Sequence, residues 1–156
     1  MPHLRFLAAL CALVSAVPLL HAQREKLPPD DLDYVEKTWP QAKKSSTGIR
    51  YIVEKRGDGP LLLPGDMVSV LYVGKLLNGK VFDKRQDEKH PFTFRVDRGV
   101  VIEGWDQILQ FMRPGDKWLL IIPPELAYGR KGYAPTIPGD ATLVFEVEVL
   151  SVKKDT

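Results

Sequence analysis

Residues 141–152 read A-T-L-V-F-E-V-E-V-L-S-V, and their alternation decides the fold class. Leu143, Phe145, Val147 and Val149 point one way, Glu146 and Glu148 the other. A period of two over that length marks a half-buried β-strand. Upstream lies a Pro- and Gly-rich loop over 125–140, and before it a second strand, K-W-L-L-I-I at 117–122, stopped by Pro123-Pro124. The period changes in G-W-D-Q-I-L-Q-F-M at 104–112: Trp105, Ile108, Leu109 and Met112 fall at i, i+3, i+4 and i+7, one face of a helix. Pro114-Gly115 ends it. Further upstream, F-T-F-R-V at 92–96 and M-V-S-V-L-Y-V-G-K-L-L at 67–77 alternate again, and Asn78-Gly79 signals a hairpin that returns at Val81-Phe82. Ile49–Lys55 is the first strand of the series. The pattern predicts four to six antiparallel strands curved over one short helix, an α+β architecture.

Composition narrows the chemistry. The chain has 156 residues, with 22 Lys+Arg against 20 Asp+Glu, a net charge of +2. So even a balance supplies little of the phosphate attraction that nucleic-acid binding requires, and no nucleic-acid partner is expected. Residues 1–22, M-P-H-L-R-F-L-A-A-L-C-A-L-V-S-A-V-P-L-L-H-A, place one cation before an apolar run and a small residue, Ala22, at the end. This is the layout of a secretory signal peptide. A retained membrane anchor is the competing reading, although the run is short for a span of about 20 residues. Cleavage after Ala22 removes Arg5 and no acid, leaving 21 basic against 20 acidic residues, and removes the one cysteine, Cys11. Of the three histidines only His90 stays. No zinc–thiolate site, no His-pair metal site and no thiol nucleophile is expected. The expected location is outside the cytoplasm: the bacterial periplasm first, a secretory lumen or the extracellular space as alternatives.

Residues 23–47 form a polar leader. Pro28, Pro29, Asp30 and Asp31 open a helix of about two turns with Leu32, Val35 and Trp39 on one face, and Pro40 closes it. Two readings compete: a tether whose amphipathic turn docks on the domain, or an arm for dimerisation or substrate. The tether predicts a monomer whose chemistry does not need the segment.

Aromatic side chains are spread over the remaining chain, and a concave apolar pocket with few polar groups suits a small apolar ligand. The segments V-L-Y-V-G at 70–74, G-K-V-F-D at 79–83, P-F-T-F at 91–94, V-I-E-G-W at 101–105, P-P-E-L-A-Y-G at 123–129 and A-T-L-V-F-E-V-E at 141–148 follow one another in order. With these motifs the chain resembles the FKBP-type peptidyl-prolyl cis-trans isomerases over residues 48–153. The resemblance implies a half-barrel of antiparallel strands around one helix. It also implies a prolyl pocket with Trp105 as floor and Tyr72, Phe82, Phe92 and Phe145 as walls. Asp83 would be its acidic group and Tyr128 its hydroxyl donor. Val101 and Ile102 would line it, the Ile102 N–H donating to a ligand carbonyl, and Tyr133 and Ile137 would flank the substrate. Many members place an Arg where this chain has Glu88, so Lys84 and Arg85 become the nearer partners for Asp83. Expected partners are proline-containing unfolded or exported polypeptides and the family's macrolide inhibitors, with no cofactor, no metal and no covalent intermediate. A chaperone-like module that binds proline peptides in the same pocket without catalysis is the alternative.

Overall fold

The computed structural model describes residues 24–155, so the expected signal peptide, 1–22, lies outside the described residues. Strand β7, Leu143–Lys153, is the axis of the fold. It pairs antiparallel with β3, Met67–Leu76, from Leu76↔Leu143 to Met67↔Lys153, and on its other edge with β6, Lys117–Ile122. Outside β6 lie β2, Arg50–Lys55, and β1, Lys43–Lys44; outside β3 lies β4, Val81–Arg85, while β5, Phe92–Arg95, pairs with another part of β3. Every pairing is antiparallel. The hairpin at Asn78-Gly79 forms where expected, with Gly79 at φ 85°. Register shifts in β3 at Ser69/Val70 and Gly74/Lys75, and in β2 at Val53/Lys55, curve the sheet.

Into the concave side drops helix α2, Glu103–Ile108, followed by a 3₁₀ turn at Leu109–Phe111. A longer α-helix was the sequence expectation. The tighter turn replaces its last part without disturbing the buried face, because residues three apart eclipse in a 3₁₀ turn and keep Leu109 above Met112, both fully buried. They meet Val68, Val70, Leu120, Ile122 and Val147 in the main core. Helix and sheet touch at Gly104. A Cβ there would lie 2.5 Å from Ile122 Cγ2 and 3.2 Å from the Leu126 carbonyl, so only glycine permits this approach.

The convex side is covered as well. Helix α1, Pro29–Thr38, lays Val35 and Leu32 with Leu27 and Trp39 against Leu119, Ile121 and Val144. Strand β6 is thus buried on both faces, which explains its unbroken apolar run. The leader contributes a seventh strand, two-residue β1, beyond the four to six expected; two charged residues carry no strand signal of their own. Polar ties complete the docking. Thr142 Oγ1 donates to Asp31 Oδ2 at 2.6 Å, and Lys26 Nζ pairs with Glu125 at 2.7 Å. The described leader is fastened along its length, and its amphipathic turn docks on the domain. No helix of the described residues is long and apolar enough to cross a membrane.

Glu25 anchors this docking. Its carboxylate accepts from Lys44 Nζ at 2.8 Å, Arg50 Nη2 at 3.1 Å and the N–H groups of Lys26 and Leu27 at 3.0 Å. Burial alone would raise its pKa, but the Lys44 bond, the two N–H groups and the Arg50 charge outweigh it and hold the group down at about 2. A depressed pKa means stability that is complete above the group's ordinary value of 4.5 and is lost as pH falls toward about 2. Glu25→Gln should lower the thermal midpoint at pH 7 by about 3–5 °C, the equivalent of about 1 kcal/mol in a domain of this size. The gap to wild type should close between pH 4.5 and 2; a gap that stays constant across that window contradicts the role of Glu25.

Candidate active site

Trp105, one residue into α2 from Gly104, is 3 % exposed and sits at the centre of an aromatic cluster. Its ring lies edge to face with Tyr72 and with Phe145, both at 5.2 Å, and 6.4 Å from Phe92. Phe82 meets Phe145 edge to face at 5.6 Å, and Tyr72 meets Phe92 at 5.9 Å. These are the favoured geometries for aromatic quadrupoles and fix each ring by its neighbours. Above Trp105 opens a cavity of about 160 Å³, lined by Tyr72, Phe82, Asp83, Phe92, Val100, Val101, Ile102, Trp105, Tyr128 and Phe145. Larger grooves lie along β2, beside Trp118 and beside Trp39, about 370, 270 and 420 Å³, but each has charged side chains in its walls and none gathers six aromatic rings.

Strand β4 owes its contribution to a bulge. Gly74 pairs with Asp83 and Lys75 with Val81, leaving Phe82 as the extra residue. Consecutive strand residues ordinarily face opposite sides; the bulge lets Phe82 and Asp83 line the same cavity. Opposite them Gly74 keeps the space open. A Cβ there would lie 2.7 Å from Phe82 Cζ and 2.8 Å from Phe145 Cε1.

One polar pair is set into this apolar wall. Tyr72 Oη donates to Asp83 Oδ2 at 2.6 Å, while Asp83 Oδ1 accepts the Lys84 N–H at 2.8 Å. Among the described residues neither Lys84 nor Arg85 forms an ion pair with Asp83. The side-chain partner of Asp83 is thus the Tyr72 phenol and neither of the two candidate cations. Burial, then the bond to Asp83 and its charge, push the Tyr72 hydroxyl well above the usual tyrosine range. Tyr128 is raised by burial first, then by Tyr133 and Asp83. Both phenols therefore stay protonated as donors. The Ile102 carbonyl accepts the Trp105 N–H at 2.9 Å, whereas the Ile102 N–H meets no acceptor among the described residues.

Not every expected residue reaches the cavity. Tyr133 is 62 % exposed and touches the site only through Tyr128, ring to ring at 5.4 Å. Ile137 is 4 % exposed, packed in the core and paired with Tyr133 through the backbone, and its side chain is not among those lining the cavity. Two contributors lay outside the sequence expectation. Val100 lines the cavity at 61 % exposure. Phe94 backs the wall, stacked on Phe92 at 5.0 Å and tilted against Trp105 at 5.9 Å. The F-T-F alternation places Phe92 and Phe94 on one face and was the available signal for Phe94. Among the described residues no group of three or more His, Cys, Asp and Glu is placed to hold a metal ion.

Comparison with known proteins gives a consistent result. The sequence model of the family described as FKBP-type peptidyl-prolyl cis-trans isomerase matches residues 61–150. A probable FKBP-type peptidyl-prolyl cis-trans isomerase of Haemophilus influenzae is 43 % identical over 110 residues, covering 70 % of this chain and 45 % of the relative. An FK506-binding protein 4 of Rhizopus delemar is 50 % identical over 99 residues, covering 64 % of this chain and 26 % of the relative. The crystal structure of FkpA from Escherichia coli superposes with a TM-score of 0.72 at 44 % identity, covering 80 % of this chain and 58 % of that one. The chain thus spans between about a quarter and somewhat over half of the length of these relatives.

The cavity's electrostatics can be checked by alkaline titration of the tyrosines, followed by NMR. Tyr72 and Tyr128 should ionise above the usual tyrosine range. In Asp83→Asn, which removes both the charge and the strong acceptor, the Tyr72 transition should move down by more than that of Tyr128. A Tyr72 transition that does not respond would show that the 2.6 Å bond is not formed in solution.

Proposed function

The chain belongs to the FKBP-type peptidyl-prolyl cis-trans isomerases, and from that premise we propose that it accelerates rotation about X–Pro bonds in the hollow above Trp105. The observation that carries the proposal is the convergence of six aromatic side chains and one phenol-bound carboxylate on a single small cavity. Its volume, about 160 Å³, is below the roughly 300–1,000 Å³ of pockets that enclose a drug-sized ligand. It suits one apolar side chain of a longer polypeptide, with the rest of the chain outside.

The barrier to X–Pro rotation comes from amide resonance, about 18–20 kcal/mol, and uncatalysed exchange takes tens to hundreds of seconds. Midway the bond is twisted and its carbonyl is less polar. Water stabilises the planar amide more than the twisted one. Moving the bond into a dry aromatic hollow lowers that preference and favours the twisted state. Trp105, Phe82, Phe92 and Phe145 hold the prolyl ring while the preceding carbonyl turns. The Ile102 N–H and the Tyr128 hydroxyl are the donors that orient the peptide. Asp83 keeps Tyr72 in place. No proton leaves or joins the substrate.

The substrates we propose are unfolded polypeptides outside the cytoplasm, in the bacterial periplasm, where slow X–Pro exchange limits folding. Support for export is the signal-like pattern of residues 1–22. The Rhizopus relative is named for binding FK506; the Trp105 hollow is the place such a macrolide would occupy here, in competition with proline peptides. We also propose that the chain acts as a monomer.

Rotation driven by shape and desolvation ranks the walls above the carboxylate. Phe82→Ala should lower kcat/KM on an X–Pro peptide by more than tenfold, whereas Asp83→Asn should cost less than about tenfold, or 1.4 kcal/mol of barrier. Near-UV circular dichroism confirms the fold of each variant. A folded Asp83→Asn protein slower than Phe82→Ala reverses this ranking.

A further inference from the structure

Helix α2 carries a second side chain that no step above uses. Asp106 follows Trp105 and is 7 % exposed. Its Oδ1 accepts the N–H of Asp97 at 2.9 Å and its Oδ2 the N–H of Gly99 at 2.8 Å. Its own N–H donates to the Ile102 carbonyl at 3.2 Å. No cation pairs with it among the described residues; the backbone donors are its partners.

The two residues it holds are conformationally unusual. Asp97 has φ 54° and Gly99 φ 66°, both in the left-handed region, and for Asp97 that conformation is strained. Such a backbone persists only when its surroundings over-determine it. The buried carboxylate supplies that determination. The segment it holds leads directly into Val100, Val101 and Ile102, one wall of the cavity. A single side chain on the floor helix thus ties the wall to the floor, and no other side-chain acceptor among the described residues takes the Asp97 or Gly99 N–H.

We propose that Asp106 is a positioning residue of the isomerase site: it touches no substrate, but sets the Val100–Ile102 wall against Trp105 and so fixes the width of the proline slot. The proposal rests on the isomerase reading of that hollow. A wall held at the wrong distance weakens the grip on planar and twisted substrate alike, so its loss raises KM and leaves kcat nearly unchanged.

Asp106→Asn keeps the shape and turns one acceptor into a donor facing a backbone N–H. In the full chain KM for an X–Pro peptide should rise about tenfold with kcat within about twofold, and the Asp97 and Gly99 amides should exchange faster while core amides of β7 stay protected. Gly99→Ala perturbs the same segment through its backbone, since φ 66° strains an L side chain while the added Cβ meets nothing within 4 Å. It should raise KM too, and Asp106→Asn should add less in that background than alone. An unchanged KM with both amides still protected overturns the proposal. So does a loss of protection spread evenly over the protein, with activity falling only as the folded fraction falls. A wild-type chain that neither binds nor isomerises proline peptides sinks the proposed function, and this assignment with it; an active wild type beside an Asp106→Asn protein with unaltered KM sinks the assignment alone.

Discussion

A six-residue helix seats so close to the sheet that position 104 has no room for a methyl group, and the rest of the site depends on that contact. Gly104 against Ile122 fixes the height of α2, and hence where the next residue, Trp105, places its ring. At that height the indole reaches Tyr72 on β3 and Phe145 on β7 at the same 5.2 Å. A helix lifted by the width of a methyl would part the floor from both walls. The sheet can accept the helix only because it is curved, and it is curved because β2, β3 and their partners carry register shifts. One of those shifts also turns Phe82 and Asp83 into the cavity together.

An apolar hollow with a carboxylate in its wall has an internal tension. A buried, unpaired charge is costly, and burying it among aromatics makes it more so. Asp83 avoids that cost because it is exposed, and its carboxylate also accepts from the Tyr72 hydroxyl and one backbone N–H. The arrangement costs less than a desolvated ion pair, and it locks the Tyr72 ring that forms part of the wall. The leader resolves a different problem. Strand β6 is apolar on both faces, and without α1 its outer face would be an exposed hydrophobic patch.

Much of this was legible in the amino-acid sequence because it is written in period and punctuation. The alternation in β7, the helical spacing of Trp105, Ile108, Leu109 and Met112, and the Asn78-Gly79 turn are local signals; strand and hairpin formed as read, and the helix formed with a 3₁₀ turn in place of its last part. The expected face of α1, with Leu32, Val35 and Trp39, is the one that packs. What could not be read depends on partners distant in sequence. Lys43-Lys44 becomes a strand only because Arg50 and Tyr51 offer an edge. The bulge at Phe82 is a property of two strands in register. That the loop carrying Ile137 folds back on Tyr133 and buries the isoleucine could not be read from the sequence either. Asp106 looks in the sequence like one more polar residue on a helix; its two backbone partners appear only when the loop before the helix is in place.

The central claim is that the bond turns in a dry aromatic hollow with no proton in flight. The solvent deuterium isotope effect tests it most directly. kcat/KM for one X–Pro peptide would be measured by NMR exchange in H₂O and in D₂O, with the full chain and with Trp105→Phe as a folded control for the hollow. Rates that agree closely in the two solvents, together with a marked loss in Trp105→Phe, are the expected result. A several-fold slowing in D₂O would mean that a proton moves in the rate-limiting step, and would contradict rotation by desolvation and shape.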